Sequence, residues 1–96
     1  MPPRNPDRGN KCNSLCRALV TNLQLVHDLN AVGDNVQLHL EFMEPPSTSA
    51  TSITVISVDL NRCEIRGIIE NGTNVGQLKI VNCSFAFDNY VDLQIN

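Results

Sequence analysis

Five short segments of alternating or β-branched apolar residues constrain the fold of this 96-residue chain more than any other feature. Successive side chains of a strand point to opposite faces, so such alternation indicates a strand with one buried face. The predicted strands cover residues 36–42, 53–60, 62–70, 77–87 and 90–95. Asn71-Gly72 favours a hairpin turn, because both residue types tolerate a positive φ. The pattern predicts an all-β domain, either a small antiparallel sandwich of the jelly-roll kind or a barrel.

Residues 14–30 fit two secondary structures. As a helix, the segment places Leu15, Leu19 and Leu23 on one face, with Ser14 as a candidate cap. As a strand, its residues alternate from position 19 to position 28. We predict a strand, because the remainder of the chain indicates a single sheet system. The alternative is an N-terminal helix followed by a five-stranded sheet.

The chain is short enough for a single domain preceded by an arm. Residues 1–13 hold three of the five prolines and no aliphatic residue beyond Met1. They cannot bury enough apolar surface to fold alone, so we predict an extended N-terminal arm. Residues 14–96 form the predicted β-domain, in which the polar residues 44–52 make a loop.

Charge is distributed unevenly between these two parts. The net charge is −3, yet residues 1–17 carry four basic groups against Asp7 alone. Residues 18–96 carry three basic and nine acidic groups. A basic arm can dock on the acidic body of another copy, contact nucleic acid, or remain a solvated tail. The candidate docking residues are Arg4, Arg8, Lys11 and Arg17.

Four cysteines fall in two different settings. Cys12 and Cys16 lie at the end of the arm, whereas Cys63 and Cys83 lie within predicted strands and share their faces with apolar residues. Three arrangements are open: buried free thiols, a Cys63–Cys83 bond, or bonds from the arm to the strands, within one chain or between chains. Four cysteines allow three intramolecular connectivities, and the sequence does not choose among them.

Other functional classes find little support in the sequence. No segment gathers a nucleophile, a histidine and an orienting acid, so we expect no catalytic residues and no enzyme. The Cys12-x₃-Cys16 spacing is wider than a zinc knuckle, even with His27 and His39 as further ligands, so we expect no metal. No phosphate-binding glycine loop is present. We therefore expect neither a cofactor nor a small-molecule substrate.

The chain also lacks the apolar stretches that membrane-spanning and secreted proteins carry. No apolar segment approaches the ~20 residues that cross a bilayer. The first residues, MPPRNPDRGNK, include no apolar core of a signal peptide, so we expect neither a membrane nor classical secretion.

The layout of a cysteine-bearing arm and a compact β-body resembles the subunits of bacterial endospore appendages, the spore-surface pili. The resemblance implies a structural subunit whose arm docks into a neighbouring copy and assembles into a filament, ring or surface layer. It also implies that Cys12 and Cys16 bond to Cys63 and Cys83 of adjacent subunits. Synthesis in the cytoplasm and display on a spore surface would follow.

A second resemblance concerns residues 58–69, VDLNRCEIRGII, which are similar to the strand pair of Sm-like barrels. In that fold a polar turn leads into a strand with a glycine kink, and a helical segment 14–30 would supply its N-terminal helix. The resemblance implies RNA binding. However, phosphate binding needs a basic surface, and residues 18–96 are acidic. Nucleic acid is therefore the less favoured partner, and other copies of the chain are the favoured one.

Overall fold

A computed structural model describes residues 12–96, and residues 1–11 lie outside that part. Five strands are present where five of the six predicted ones lie, but a helix replaces the first, so the alternative class describes the fold better than all-β. The elements are α1 (Ser14–Ala31), β1 (Leu38–Met43), β2 (Ala50–Asp59), β3 (Glu64–Ile69), β4 (Leu78–Asn82), α2 (Cys83–Asp88) and β5 (Tyr90–Ile95).

The five strands form one open antiparallel sheet in the order β4-β3-β2-β1-β5. The expected sandwich or closed barrel is therefore wrong. A second sheet is not needed, because α1 packs against β1 and β2 and covers the apolar face. Strand β2 is bulged between Val55 and Ser57, where Ile56 is the extra, exposed residue. Strands β4 and β5 are left as the two edges.

The strand predicted for residues 14–30 is wrong, because the segment is helix α1. A helix directs Leu15, Cys16 and Leu19 together toward the core, where all three are buried. A strand would turn neighbours such as Leu15 and Cys16 to opposite faces. The cap is Asn13, whose side chain accepts a hydrogen bond from the Cys16 amide at 3.1 Å. Ser14 is the first helical residue instead.

The long strand predicted for residues 77–87 is also wrong, since it ends at Asn82. The Asn82 side chain accepts hydrogen bonds from the amides of Ser84 (2.8 Å) and Phe85 (3.4 Å), and so starts helix α2. Alternation along the predicted strand would place Phe85 and Phe87 on the apolar face of Cys83, but in helix α2 both are partly displaced from the core. Phe85 is 37% exposed and Phe87 is 51% exposed.

The core lies between α1 and the sheet, on the faces that alternation assigns to it. Leu38, Leu40 and Phe42 of β1 are buried, as are Ile65 and Ile69 of β3. The side chains between them on β1 point to the opposite face of the sheet. Because α1 covers only the inner face, the two edges and the outer face of the sheet remain available for contacts with other molecules.

Candidate assembly surface

All four cysteines form disulfides within the chain, Cys12 with Cys63 and Cys16 with Cys83. Of the arrangements left open by the sequence, bonds from the arm to the body within one chain are therefore present. Buried free thiols and a Cys63–Cys83 bond are both wrong. The first helix is fastened at its start to two distant parts of the chain.

Neither Cys63 nor Cys83 lies in a strand, contrary to the prediction. Cys63 occupies the turn before β3 with a φ of 53°, and Cys83 is the first residue of α2. Cys12, Cys16 and Cys83 are at most 4% exposed, whereas Cys63 is half-buried. The two bonds consequently differ in their access to solvent.

Two polar side chains support the fastened end of α1. The Asn13 amide nitrogen donates to the Cys83 carbonyl oxygen at 2.8 Å. The Arg17 guanidinium donates to the Cys12 carbonyl oxygen at 2.9 Å, so this predicted docking residue binds its own chain. The other predicted docking residues, Arg4, Arg8 and Lys11, lie outside the described residues. Cys12 and Asn13, predicted as arm, belong to the ordered body.

Edge strand β4 presents apolar side chains to solvent. Leu78 is 58% exposed and Ile80 is 49% exposed, while Val81 points into the core. No strand of residues 12–96 covers the outer side of β4. The edge therefore combines unpaired backbone groups with an apolar surface, a combination that favours pairing with another chain.

Edge strand β5 is apolar in a different way. Tyr90 is 46% exposed and Val91 is 45% exposed. Beside them lies an open cleft of about 420 Å³ between the start of α1, the end of α2 and β5. The cleft is lined by Ser14, Leu15, Ala18, Phe87, Tyr90 and Leu93.

The two edges also differ in charge. On the β4 side the charges are balanced, because Lys79 of β4 is paired with Glu44, and Arg66 of β3 lies between Asp59 and Glu64. Residues 83–96, which form α2 and β5, carry Asp88 and Asp92 and no cationic side chain. An acidic β5 edge is therefore a better electrostatic partner for the β4 edge than for another β5 edge.

A polar cluster on the outer sheet face joins the three central strands. Glu70 accepts hydrogen bonds from His39 Nδ1 (2.6 Å), Ser52 Oγ (2.9 Å) and Thr54 Oγ1 (2.9 Å). Burial raises the pKa of Glu70, but these hydrogen bonds together outweigh burial and hold the pKa below its usual value. The cluster is satisfied internally, so its role is structural.

A second carboxylate connects the loop after β1 to edge strand β4. Lys79 Nζ lies 2.6 Å from Glu44 Oε2, and Thr51 Oγ1 donates to Glu44 Oε1 at 2.8 Å. The hydrogen bond from Lys79 is the largest influence that lowers the pKa of Glu44, against a smaller opposing effect of burial. This ion pair attaches β4 to the loop that follows β1.

The structure offers little that could hold a metal. His39 is engaged by Glu70, while His27 is largely exposed beside Asp28. Residues 12–96 contain no cluster of three or more His, Cys, Asp or Glu side chains suited to an ion. Within the same residues, no helix is both long and apolar enough to cross a membrane.

Comparison with known proteins adds no identification. No protein-family model, curated protein or solved structure matches the chain. The residues that sequence reasoning missed are Phe87 at the end of α2 and Tyr90 at the start of β5, which line the cleft together. The available signal was Asn82, a helix-capping residue type in the middle of the predicted strand.

Proposed function

We propose that the chain is a structural subunit that assembles with copies of itself through the two edges of its sheet. In this assembly, β4 of one copy pairs with β5 of the next. The observation that carries the proposal is that the two edges are both open and unlike. One is apolar with balanced charges around it, and the other is apolar and acidic.

Such a contact is head-to-tail, so it produces a ring where the rotation closes and a filament where it does not. Main-chain hydrogen bonds between edges would provide affinity, and burial of Ile80 and Val91 would add an apolar contribution. The expectation of disulfides between subunits loses its support, because each cysteine already has a partner in its own chain. The assembly is therefore non-covalent.

The proposal keeps the predicted role of the basic arm and the resemblance to spore appendage subunits. Residues 1–11, with three cationic side chains, would contact Asp88 and Asp92 of a neighbour, next to the β5 edge that β4 already occupies. Deleting residues 1–11 tests the arm while leaving both disulfides intact. We expect the deletion to weaken assembly and to reduce its sensitivity to salt, as measured by light scattering at two ionic strengths.

The edge contact is tested with two single variants that each block one edge. Ile80→Lys places a charge on β4 and Val91→Lys places one on β5, both at exposed positions. Ile56→Lys is the matched control, because Ile56 is similarly exposed on central strand β2. We expect each edge variant alone to be monomeric, their mixture to form a one-to-one dimer, and the control to assemble like the parent chain.

The outcomes separate the possible contacts. Self-association of Ile80→Lys alone would indicate pairing of two β5 edges, and self-association of Val91→Lys alone would indicate pairing of two β4 edges. Either result contradicts the head-to-tail contact but leaves self-assembly standing. A parent chain that stays monomeric at high concentration, by sedimentation velocity, would remove the function itself.

The second candidate function is RNA binding in the Sm-like manner. It is favoured by one observation, an N-terminal helix before a five-stranded antiparallel sheet, which is the layout implied by that resemblance. The acidic character of residues 18–96 opposes it. A fluorescent oligouridine titrated at low and moderate salt tests it, and absence of binding at low salt would remove this candidate.

A further inference from the structure

The two disulfides join cysteines that differ in their exposure to solvent. Cys16 and Cys83 are 0% and 1% exposed beneath α1 and α2. Cys12 is 4% exposed, but its partner Cys63 is half-buried in the turn that connects β2 to β3. Of the four cysteines, Cys63 is therefore the one most open to a thiol arriving from solvent.

The backbone around Cys63 adds to this difference. Its φ of 53° lies in the left-handed region, which a residue with a side chain seldom adopts without support from its surroundings. Two attachments hold Cys63 to the rest of the body, the bond to Cys12 and a hydrogen bond that its carbonyl oxygen accepts from the Cys83 amide at 2.8 Å. Opening the bond would let the turn relax, which favours exchange at this position.

The charges around the turn indicate which thiols react there. Arg62, next to Cys63, has its Nε 4.0 Å from Asp59 Oδ2, but its side chain is 71% exposed and that of Asp59 only 24%. Arg66 shares the carboxylates of Asp59 and Glu64, at 3.8 Å and 3.9 Å. The charge most available to an approaching molecule is therefore the cationic Arg62 guanidinium, which attracts anionic thiols.

We propose that Cys63 is a modification site, at which an anionic low-molecular-weight thiol forms a mixed disulfide. The incoming thiolate attacks the sulfur of Cys63 and forms a new S–S bond. The Cys12–Cys63 bond breaks, and Cys12 leaves as a thiolate that takes a proton from water. One disulfide is consumed and one is formed, so no further oxidant or reductant takes part.

The exchange leaves the body folded and frees only the chain before α1. Cys16 remains bonded to Cys83, and Asn13 still donates to the Cys83 carbonyl oxygen. The start of α1 therefore stays docked. Residues 1–12 lose their covalent attachment to the β2–β3 turn, so the modification reports on the thiol content of the surroundings without unfolding the sheet.

The test exposes the native protein to reduced glutathione, traps thiols with iodoacetamide at intervals, and maps both products by peptide mass spectrometry. We expect the glutathione adduct on Cys63 and alkylation on Cys12. Opening of Cys16–Cys83, the internal control, should be slower by about tenfold or more. A faster opening of Cys16–Cys83, or an adduct on Cys12 in place of Cys63, would overturn the proposal.

The choice of thiol is tested separately with Arg62→Gln. This variant should slow the reaction of glutathione severalfold and leave that of neutral 2-mercaptoethanol unchanged. Added salt should slow only the glutathione reaction of the parent chain. If Arg62→Gln reacts with glutathione as fast as the parent chain does, the preference for anionic thiols is overturned.

Discussion

At the scale of single residues, Gly67 sits where the sheet has no room for a side chain. It lies opposite Val55 at the β2 bulge. A Cβ atom on Gly67 would come 2.7 Å from the Thr54 carbonyl oxygen and 2.9 Å from Ile53 Cδ1. The carbonyl oxygen belongs to the backbone of a central strand, so displacing it would disturb the sheet and cost free energy.

We expect Gly67→Ala to lower the free energy of unfolding by about 2 kcal/mol, because the sheet must shift at the bulge. Gly72→Ala is the control, since Gly72 has open space around it and only its φ of 81° opposes a side chain. That variant should lose about 1 kcal/mol. Urea unfolding with the disulfides intact measures both, and a larger loss for Gly72→Ala would contradict the steric argument.

Glu70 makes part of the stability depend on pH. The net effect of its surroundings is a pKa below the usual 4.5 in the folded protein. The unfolded chain therefore binds a proton at this group more readily than the folded one. The stabilisation is fully present above pH 4.5 and is lost as the pH falls through the lower, folded pKa.

We expect Glu70→Gln to reduce stability by about 1 kcal/mol at neutral pH and to weaken the decline of stability in acid. Glu41→Gln is the control, because Glu41 lies on the same sheet face, opposite Ser52. Urea unfolding across the acidic range provides the measurement. An equally steep acid decline in Glu70→Gln and the parent chain would contradict the role given to this carboxylate.

At the scale of elements, the sequence predicts a strand well where alternation is uninterrupted, as it is for β1. It failed for α1 although Leu23 and Val26 continue the apolar face of the helix and pack against the core. The same residues also alternate from position 19 to position 28, so local pattern fitted both structures and the strand-rich remainder of the chain decided wrongly. At Asn82 the failure has a local cause, since a capping hydrogen bond overrides the apolar alternation that continues through Phe87.

Asn13 links the cap of α1 to the rest of the body, because it accepts from the Cys16 amide and donates to Cys83. We expect Asn13→Ala to cost about 1–2 kcal/mol in unfolding free energy. Asn22→Ala, within the same helix at an exposed hydrogen bond, should cost less than half as much. Equal losses in thermal or urea unfolding would show that the cap adds nothing specific.

At the scale of the whole molecule, the sequence indicated the five strands after residue 35 but neither the disulfide pairing nor the order of the strands in the sheet. Pairing depends on which distant segments meet, and alternation within a strand contains no information on that. The edges depend on strand order, which places β5 beside β1. Tyr90 and Val91 are exposed because this order makes β5 an edge strand, which the chain reaches after β4 ends at Asn82 and α2 begins.

The two disulfides span similar lengths of chain, 51 and 67 residues, so chain entropy gives each of them about 4 kcal/mol. A difference between the stabilising effects of the two bonds would therefore come from the surroundings of their sulfur atoms. We expect the paired change Cys16→Ala with Cys83→Ala to destabilise more than Cys12→Ala with Cys63→Ala, because the first leaves a buried cavity. Equal midpoints in urea unfolding would contradict this order.

The Cys16–Cys83 bond also sets an order of events during synthesis. Helix α1 is made early, yet the residue that fastens it comes 67 positions later, after β4 has been completed. Until Cys83 emerges, Cys16 has no native partner and is open to wrong ones, since the chain is produced from its N-terminus. A translation product that stops at Asn82 would therefore contain an odd number of cysteines and could not reach the native set of bonds.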